Sequence, residues 1–207
     1  MIIFGHRGAP GFPRVAENTR ASFQKAVAAG ATGLEFDVRR CADGRLVIVH
    51  DDVVRHRSYE ELCRIDVPLL SDVLDEFGSR CLLNIELKDA GIAADVKSLV
   101  LQRRLEGHVI VSSFDWNELR SFVPEVPIGL LSWKLENLLS SASELHATAI
   151  HLRRDIVTRT LIAAAHEQGL LVYVWTVNDL DEVVRFRDLG VDGIFTDFPE
   201  RCSTLAS

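Results

Sequence analysis

Short apolar runs alternate with stretches of helical spacing almost from one end of the chain to the other. Runs at 2–6, 33–38, 46–50, 81–87, 109–113, 128–131, 149–152, 171–176 and 193–196 read as strands. The stretches 19–29, 70–77, 93–105, 116–122, 135–143, 157–168 and 180–189 read as helices. Most of the strand runs are continuously apolar, the pattern of strands buried on both faces. Repeated strand–helix units predict a parallel sheet. Punctuation supports the helix ends. Asn18 is expected to cap the first helix, whose Phe23, Ala26 and Val27 recur at helical spacing, and Gly30 to close it. Asp179 with Glu182 three residues on reads as a capping box. Gly190 ends that helix, and Gly169 ends the one before.

The number of units predicts a (β/α)8 barrel at the short end of its size range. There is one strand run too many. Asp43-Gly44 resolves this as a two-residue hairpin turn, which makes 46–50 the returning arm and sets Asp37 opposite His50. The first strand is not followed by a Gly-rich loop, which argues against a dinucleotide-binding sheet.

At 207 residues and 47% hydrophobic, the chain is expected to form one domain over its whole length. The net charge of −7 argues against nucleic acid or stable association with an anionic membrane. An anionic substrate would therefore need positive charge placed locally. No apolar run is long enough to span a bilayer, and the run at 1–4 is too short for a signal segment. Cys41, Cys63, Cys81 and Cys202 lack metal-finger or paired-redox spacing, as expected of reduced thiols in a cytoplasmic protein.

The candidate chemistry sits at strand ends. Glu35 and Asp37 lie two apart on one strand and so share a face; Glu86 ends another strand. The C-terminal ends of barrel strands form the active face. Three carboxylates converging there need a cation, and oxygen ligands favour Mg²⁺, Ca²⁺ or Mn²⁺ over zinc. His6 and His50 both end strands and can serve as a proton acceptor and a proton donor. Arg7 can grip a phosphoryl oxygen with its planar fork. Lys88 shares a strand face with Glu86, in a chain with only four lysines among 23 basic residues. Glu17 is expected to orient His6 or Arg7. Trp175 can form an apolar wall for a glycerol or alcohol group, and His151, ending another strand, is expected to line the pocket. Asp197 closes the last strand, with buried hydrogen bonding as its ordinary role.

The motifs His6-Arg7-Gly8, Glu17-Asn18-Thr19, Glu35-Phe-Asp37-Val38, Asp43-Gly44, Val49-His50-Asp51, Ile85-Glu86-Leu-Lys88, Ser112-Ser-Phe114, Trp175-Thr-Val-Asn178 and Gly193-Ile-Phe-Thr-Asp197 occur in this order. Together they closely resemble the glycerophosphodiester phosphodiesterase family, from residue 4 to about residue 200. The resemblance implies a (β/α)8 barrel that hydrolyses glycerophosphodiesters to glycerol 3-phosphate and an alcohol. It matches His6 and His50 to the acid–base histidines, Glu35, Asp37 and Glu86 to the ligands of one divalent cation, and Arg7 and Lys88 to phosphate-holding positions. Family members usually carry a longer insertion after the His-Asp motif. Here 52–67 is brief, a departure that bears on the alcohol side and not on the core chemistry.

These readings converge on metal-dependent phosphodiester hydrolysis, with His6 favoured as base and His50 as acid. Water and the neighbouring glycerol hydroxyl both remain open as nucleophile. The rival readings are a related phosphodiesterase acting on lysophospholipids or phosphoinositides, and a non-catalytic phosphate- or metal-binding barrel. Oligomeric state is not legible.

Overall fold

Nine strands form in chain order: β1 (Ile2–His6), β2 (Gly33–Arg40), β3 (Leu46–Ile48), β4 (Leu82–Leu87), β5 (Val109–Ser113), β6 (Ile128–Ser132), β7 (Ala149–Arg153), β8 (Leu171–Trp175) and β9 (Gly193–Thr196). In this computed structural model, which describes residues 1–202, all but β3 close into a parallel barrel with β1 paired to both β2 and β9. Helices α1 (Arg20–Ala28), α3 (Leu70–Phe77), α4 (Ala93–Gln102), α5 (Leu138–Glu144), α6 (Arg159–Glu167) and α7 (Leu180–Leu189) lie between strands. A short α2 (Tyr59–Cys63) and a terminal α8 (Pro199–Cys202) complete the set. None of the described helices is long and apolar enough to cross a membrane.

Strand alternation divides the core in two. Outward residues such as Ile3, Leu34, Phe36 and Ile85 join Phe23, Val73 and Phe77 of the helices in the main apolar layer. Inward residues Phe4, Ile110, Ala149, Tyr173 and Phe195 form a separate plug inside the barrel. Phe4 stacks on Phe195 at 4.8 Å between ring centroids and meets Tyr173 edge-on at 5.3 Å. Space for these rings comes from glycines on the same face: a Cβ at Gly33 would strike the Phe4 ring, and one at Gly129 would strike His151. The plug closes the lower barrel, so the upper end is where polar groups can gather.

The extra strand is resolved as a hairpin. The first part of β2 pairs with β1, and its last residues run on to pair antiparallel with β3. The register differs by one from the two-residue-turn expectation: Val38 faces Ile48 and Arg40 faces Leu46. The cause is a three-residue turn. The Cys41 N–H donates to the Arg45 carbonyl at 3.0 Å, and Gly44 alone takes the left-handed conformation, at φ +85°. Val49 rather than His50 therefore reaches Asp37, donating its N–H to the Asp37 carbonyl at 2.9 Å.

Several helix ends also differ from expectation. Thr19 caps α1 by accepting the Ser22 N–H, while Asn18 turns left-handed and sends its side chain to Asp37. Asp179 caps α7, but Glu182 pairs with Arg154 instead of completing a box. Gly30, Gly169 and Gly190 follow their helices at positive φ. Helix α4 stops at Gln102 because Arg104 is left-handed, and the 116–122 stretch forms a 3₁₀ helix, Trp116–Ser121. The brief segment after His50 packs as a 3₁₀ turn, Asp52–His56, and α2, whose Ser58–Glu61 capping box is complete. Val54 and Leu62 bury against Cys41 and Val47 of the hairpin.

Candidate active site

A cavity of about 390 Å³ opens at the C-terminal end of the barrel strands. His6, Arg7, Glu35, His50, Glu86 and Lys88 line one side, and Phe114, Leu131, Trp133, Trp175 and Phe195 the other. Asp37 sits behind the charged wall, 1% exposed.

The acids are brought together by strand geometry. The two-residue period of β2 puts Glu35 and Asp37 on the inner face, and the β2–β4 register sets Glu86 beside Asp37. One carboxylate oxygen from each lies within 4.8 Å of the other two. Burial, then the Asp37 charge, pushes the Glu35 carboxyl well above its ordinary pKa. The same two causes raise Glu86, with Lys88 opposing them. Two cations flank the cluster. The Lys88 Nζ lies 2.7 Å from Glu86 Oε1 and 3.6 Å from Asp37 Oδ1, and the Arg7 Nε lies 3.2 Å from Asp37 Oδ2. Asp37 Oδ1 nevertheless has no hydrogen-bond donor among the described residues. Crowded buried carboxylates with an unused oxygen are a donor set that fits a hard divalent cation.

The two histidines are held differently. His6 Nδ1 lies 2.7 Å from Asp197 Oδ1, and Asp197 Oδ2 accepts from Asn178 Nδ2 at 2.7 Å. This chain fixes the ring with Nε2 toward the acids, 4.0 Å from Glu35 Oε2. Burial alone would lower the His6 pKa, but the Asp197 hydrogen bond and the Glu35 and Asp197 charges raise it overall. The His50 ring is more exposed and, among the described residues, is paired only with Asp51, at 3.3 Å. Its backbone carbonyl accepts from Arg39 Nε at 2.8 Å.

Arg7 is left-handed at φ +54°, which lets its N–H donate to Glu35 Oε2 at 2.9 Å while its side chain crosses to the acids. Glu17 accepts from Arg7 at 2.8 Å and stays outside the cavity lining, so it orients Arg7. Trp175 lines the cavity and donates Nε1–H to the His151 carbonyl at 3.1 Å.

His151 does not line the pocket. Its strand position turns the ring into the barrel, where it is fully buried beside Tyr173 and Phe195. Neither ring nitrogen has a hydrogen-bond partner among the described residues, and burial drives its pKa down to about 3. Asp197 is half-buried rather than buried, and it anchors His6. The sequence assigned no place in the site to the supporting residues Asn18, Asn178 and Arg39 or to the wall residues Phe114, Trp133 and Arg153, and read Asn18 only as a helix cap. Asn178 and Phe114 end two of the motifs that carry the family resemblance, which was the available signal. Arg39 carried none.

The comparisons with known proteins agree with this geometry. The profile of the Glycerophosphoryl diester phosphodiesterase family matches residues 6–201. The chain belongs to this family. The glycerophosphodiester phosphodiesterase of Bacillus altitudinis is 33% identical, over 96% of this chain and 95% of its own. That of Caldanaerobacter subterraneus subsp. tengcongensis is 30% identical, over 99% and 97%. The crystal structure of the Thermotoga maritima glycerophosphodiester phosphodiesterase superposes with a TM-score of 0.85 at 26% identity, over 99% of this chain and 98% of that one. The alignment with the Bacillus protein runs to 236 positions, more than this chain contains, so that glycerophosphodiester phosphodiesterase carries residues absent here. Membership makes the chain a phosphodiester hydrolase built on the family's barrel.

Proposed function

We propose that the chain hydrolyses glycerophosphodiesters to glycerol 3-phosphate and an alcohol, using one divalent cation and two histidines. The observation that carries this reading is the convergence of Glu35, Asp37 and Glu86 to within 4.8 Å, on a cavity that also exposes His6, His50, Arg7 and Lys88.

Glu35, Asp37 and Glu86 would hold Mg²⁺, Ca²⁺ or Mn²⁺, which supplies Lewis-acid stabilisation of charge on a phosphoryl oxygen. Arg7 and Lys88 share the neutralisation of that charge. His6, tethered through Nδ1 to Asp197, has Nε2 free to take a proton from the attacking hydroxyl. His50, which lines the same cavity, gives a proton to the departing alkoxide. The attacking group is water or the adjacent glycerol hydroxyl. Phe114, Trp133 and Trp175 provide an apolar wall for the carbon skeleton.

A second reading, lysophospholipids as substrates at the same centre, draws on the exposure of Phe114 (38%) and Trp133 (50%) at the mouth. A reducing compartment, the cytoplasm, fits the four unpaired cysteines. The span of the family match supports one domain.

The test is release of glycerol 3-phosphate from glycerophosphocholine, glycerophosphoethanolamine and glycerophosphoglycerol, and of acylglycerol 3-phosphate from a lysophospholipid, after chelation and after addition of each metal. Turnover that chelation abolishes and a divalent metal restores is expected. Full turnover in excess chelator would remove the metal from the reaction. Turnover of the lysophospholipid alone would select the second reading.

A further inference from the structure

The two candidate histidines pose unequal structural problems. His6 belongs to a barrel strand and has the half-buried Asp197 carboxylate on its ring at 2.7 Å. His50 lies beyond the end of β3, on a hairpin outside the barrel, and its side chain is 38% exposed. Its one ring partner among the described residues, Asp51, is 77% exposed and 3.3 Å away. A surface contact of that length does little to fix an imidazole. What is fixed is the backbone of His50.

Arg39 does this. The period of β2 continues from Glu35 and Asp37 to Arg39, so all three share a face. The guanidinium is nearly buried. Its Nε donates to the His50 carbonyl at 2.8 Å and its Nη1 to Asp89 Oδ1 at 2.6 Å. Asp89, next to Lys88, also accepts from Arg55 Nη2 at 2.7 Å and from the Arg40 N–H at 2.9 Å. One planar fork thus ties the loop that carries His50 to the strand that carries the acids and to the loop after Lys88. Arg55, from the 3₁₀ turn that follows His50, closes the clamp from the other side. The fork geometry is particular to arginine, because a lysine nitrogen on its single stem cannot keep both directions at once.

We propose that Arg39, held by Asp89, is a positioning residue that sets where the His50 imidazole stands over the cavity. This rests on the role given to His50 under the proposed function. Arg39 touches no reacting atom, so its loss should leave the binding of the phosphate half intact and lower turnover only. A misplacement of about 1 Å at a reacting group can lower the rate by about 10²-fold.

The experiment is a double-mutant cycle on glycerophosphocholine at saturating metal, using Arg39→Met, His50→Ala and the pair. Arg39→Met should lower kcat by about 10²-fold with KM within about threefold of the parent. In the His50→Ala background the same change should lower kcat by less than about threefold, because an effect transmitted through His50 vanishes when the imidazole is gone. Arg39→Lys, which keeps the charge and the buried stem, should recover part of the loss. It also stands in should Arg39→Met fail to fold, as read by thermal melting. A full 10²-fold loss in both backgrounds would overturn the proposal and make Arg39 a structural staple. So would a parental kcat in Arg39→Met, or a loss confined to KM. Normal turnover of His50→Ala alone would instead remove His50 from the mechanism, and the proposal with it.

Discussion

The two sides of the cavity come from different halves of the chain. Strands β1, β2 and β4, with the hairpin arm, supply His6, Arg7, Glu35, Asp37, His50, Glu86 and Lys88. Strands β5 to β9 and their loops supply Phe114, Leu131, Trp133, Trp175 and Phe195, with Arg153 as the charged exception. The first half is a lattice of hydrogen bonds in which most groups have assigned partners. The second is a set of ring contacts, with Phe114 4.7 Å from Trp133 and 5.7 Å from Trp175. Charge must be placed to fractions of an ångström, whereas an apolar wall needs only shape. Reaction and fit are therefore separable here, and substitutions on the two sides should affect different kinetic constants.

The sharpest test of that separation is at the acids. Asp37→Asn or Glu35→Gln should lower kcat/KM for glycerophosphocholine by on the order of 10³-fold, equivalent to several kcal/mol of transition-state stabilisation. Metal titration should show weakened cation affinity in the same variants. Parental rates in either would break the comparison outright. Next come His6→Ala and His50→Ala, each expected to reduce kcat by roughly 10²–10⁴-fold. The double mutant should lose less than the product of the two.

Asp197→Asn should be milder, about tenfold to a hundredfold in kcat, the worth of a hydrogen bond to a charged group. It would show that the second half contributes to chemistry only through its grip on His6. On the apolar side, Trp175→Ala or Phe114→Ala should raise KM by roughly tenfold with kcat nearly unchanged, consistent with about 1–2 kcal/mol of lost apolar contact. A kcat loss as large as that of His6→Ala would erase the distinction. The smallest effect concerns the headgroup. No residue of the brief 52–67 segment lines the cavity among the described residues. The kcat/KM values for choline, ethanolamine and glycerol diesters should accordingly fall within roughly 30-fold of one another. A thousandfold preference would show that the wall, probed at Arg153→Ala, reads the alcohol closely.

The barrel and the charged half were legible in the sequence because both follow from period. Continuous apolar strands announce a parallel sheet, and Glu35-x-Asp37 announces a shared face. The parts that escaped depend on geometry finer than period. Asp43-Gly44 permits more than one turn, and the third loop residue slides the register by one, which moves His50 off Asp37. Asn18 and Thr19 are both competent caps, and the demand of buried Asp37 for a donor decides which one is used. His151 reads as a strand end on paper, like His6, yet β7 runs on to Arg153 and the ring falls among the rings of the plug. Arg39 is one of many arginines, and only the fold brings it between His50 and Asp89.

That buried histidine has a thermodynamic consequence. With its pKa lowered to about 3 from an ordinary 6.5, His151 stays neutral in the folded barrel at pH values where the unfolded chain binds a proton. Proton uptake then favours unfolding. Its contribution is neutral to stability above about pH 6.5 and opposes folding increasingly as the pH falls toward 3, by about 1.4 kcal/mol for each pH unit. His151→Phe, which cannot protonate, should flatten the stability profile between pH 6 and 4 in urea titrations, provided the ring fits against Gly129. An unchanged slope would mean that other groups govern the acid limb. The aromatic floor that shuts the lower barrel thus also makes the molecule sensitive to acid from within.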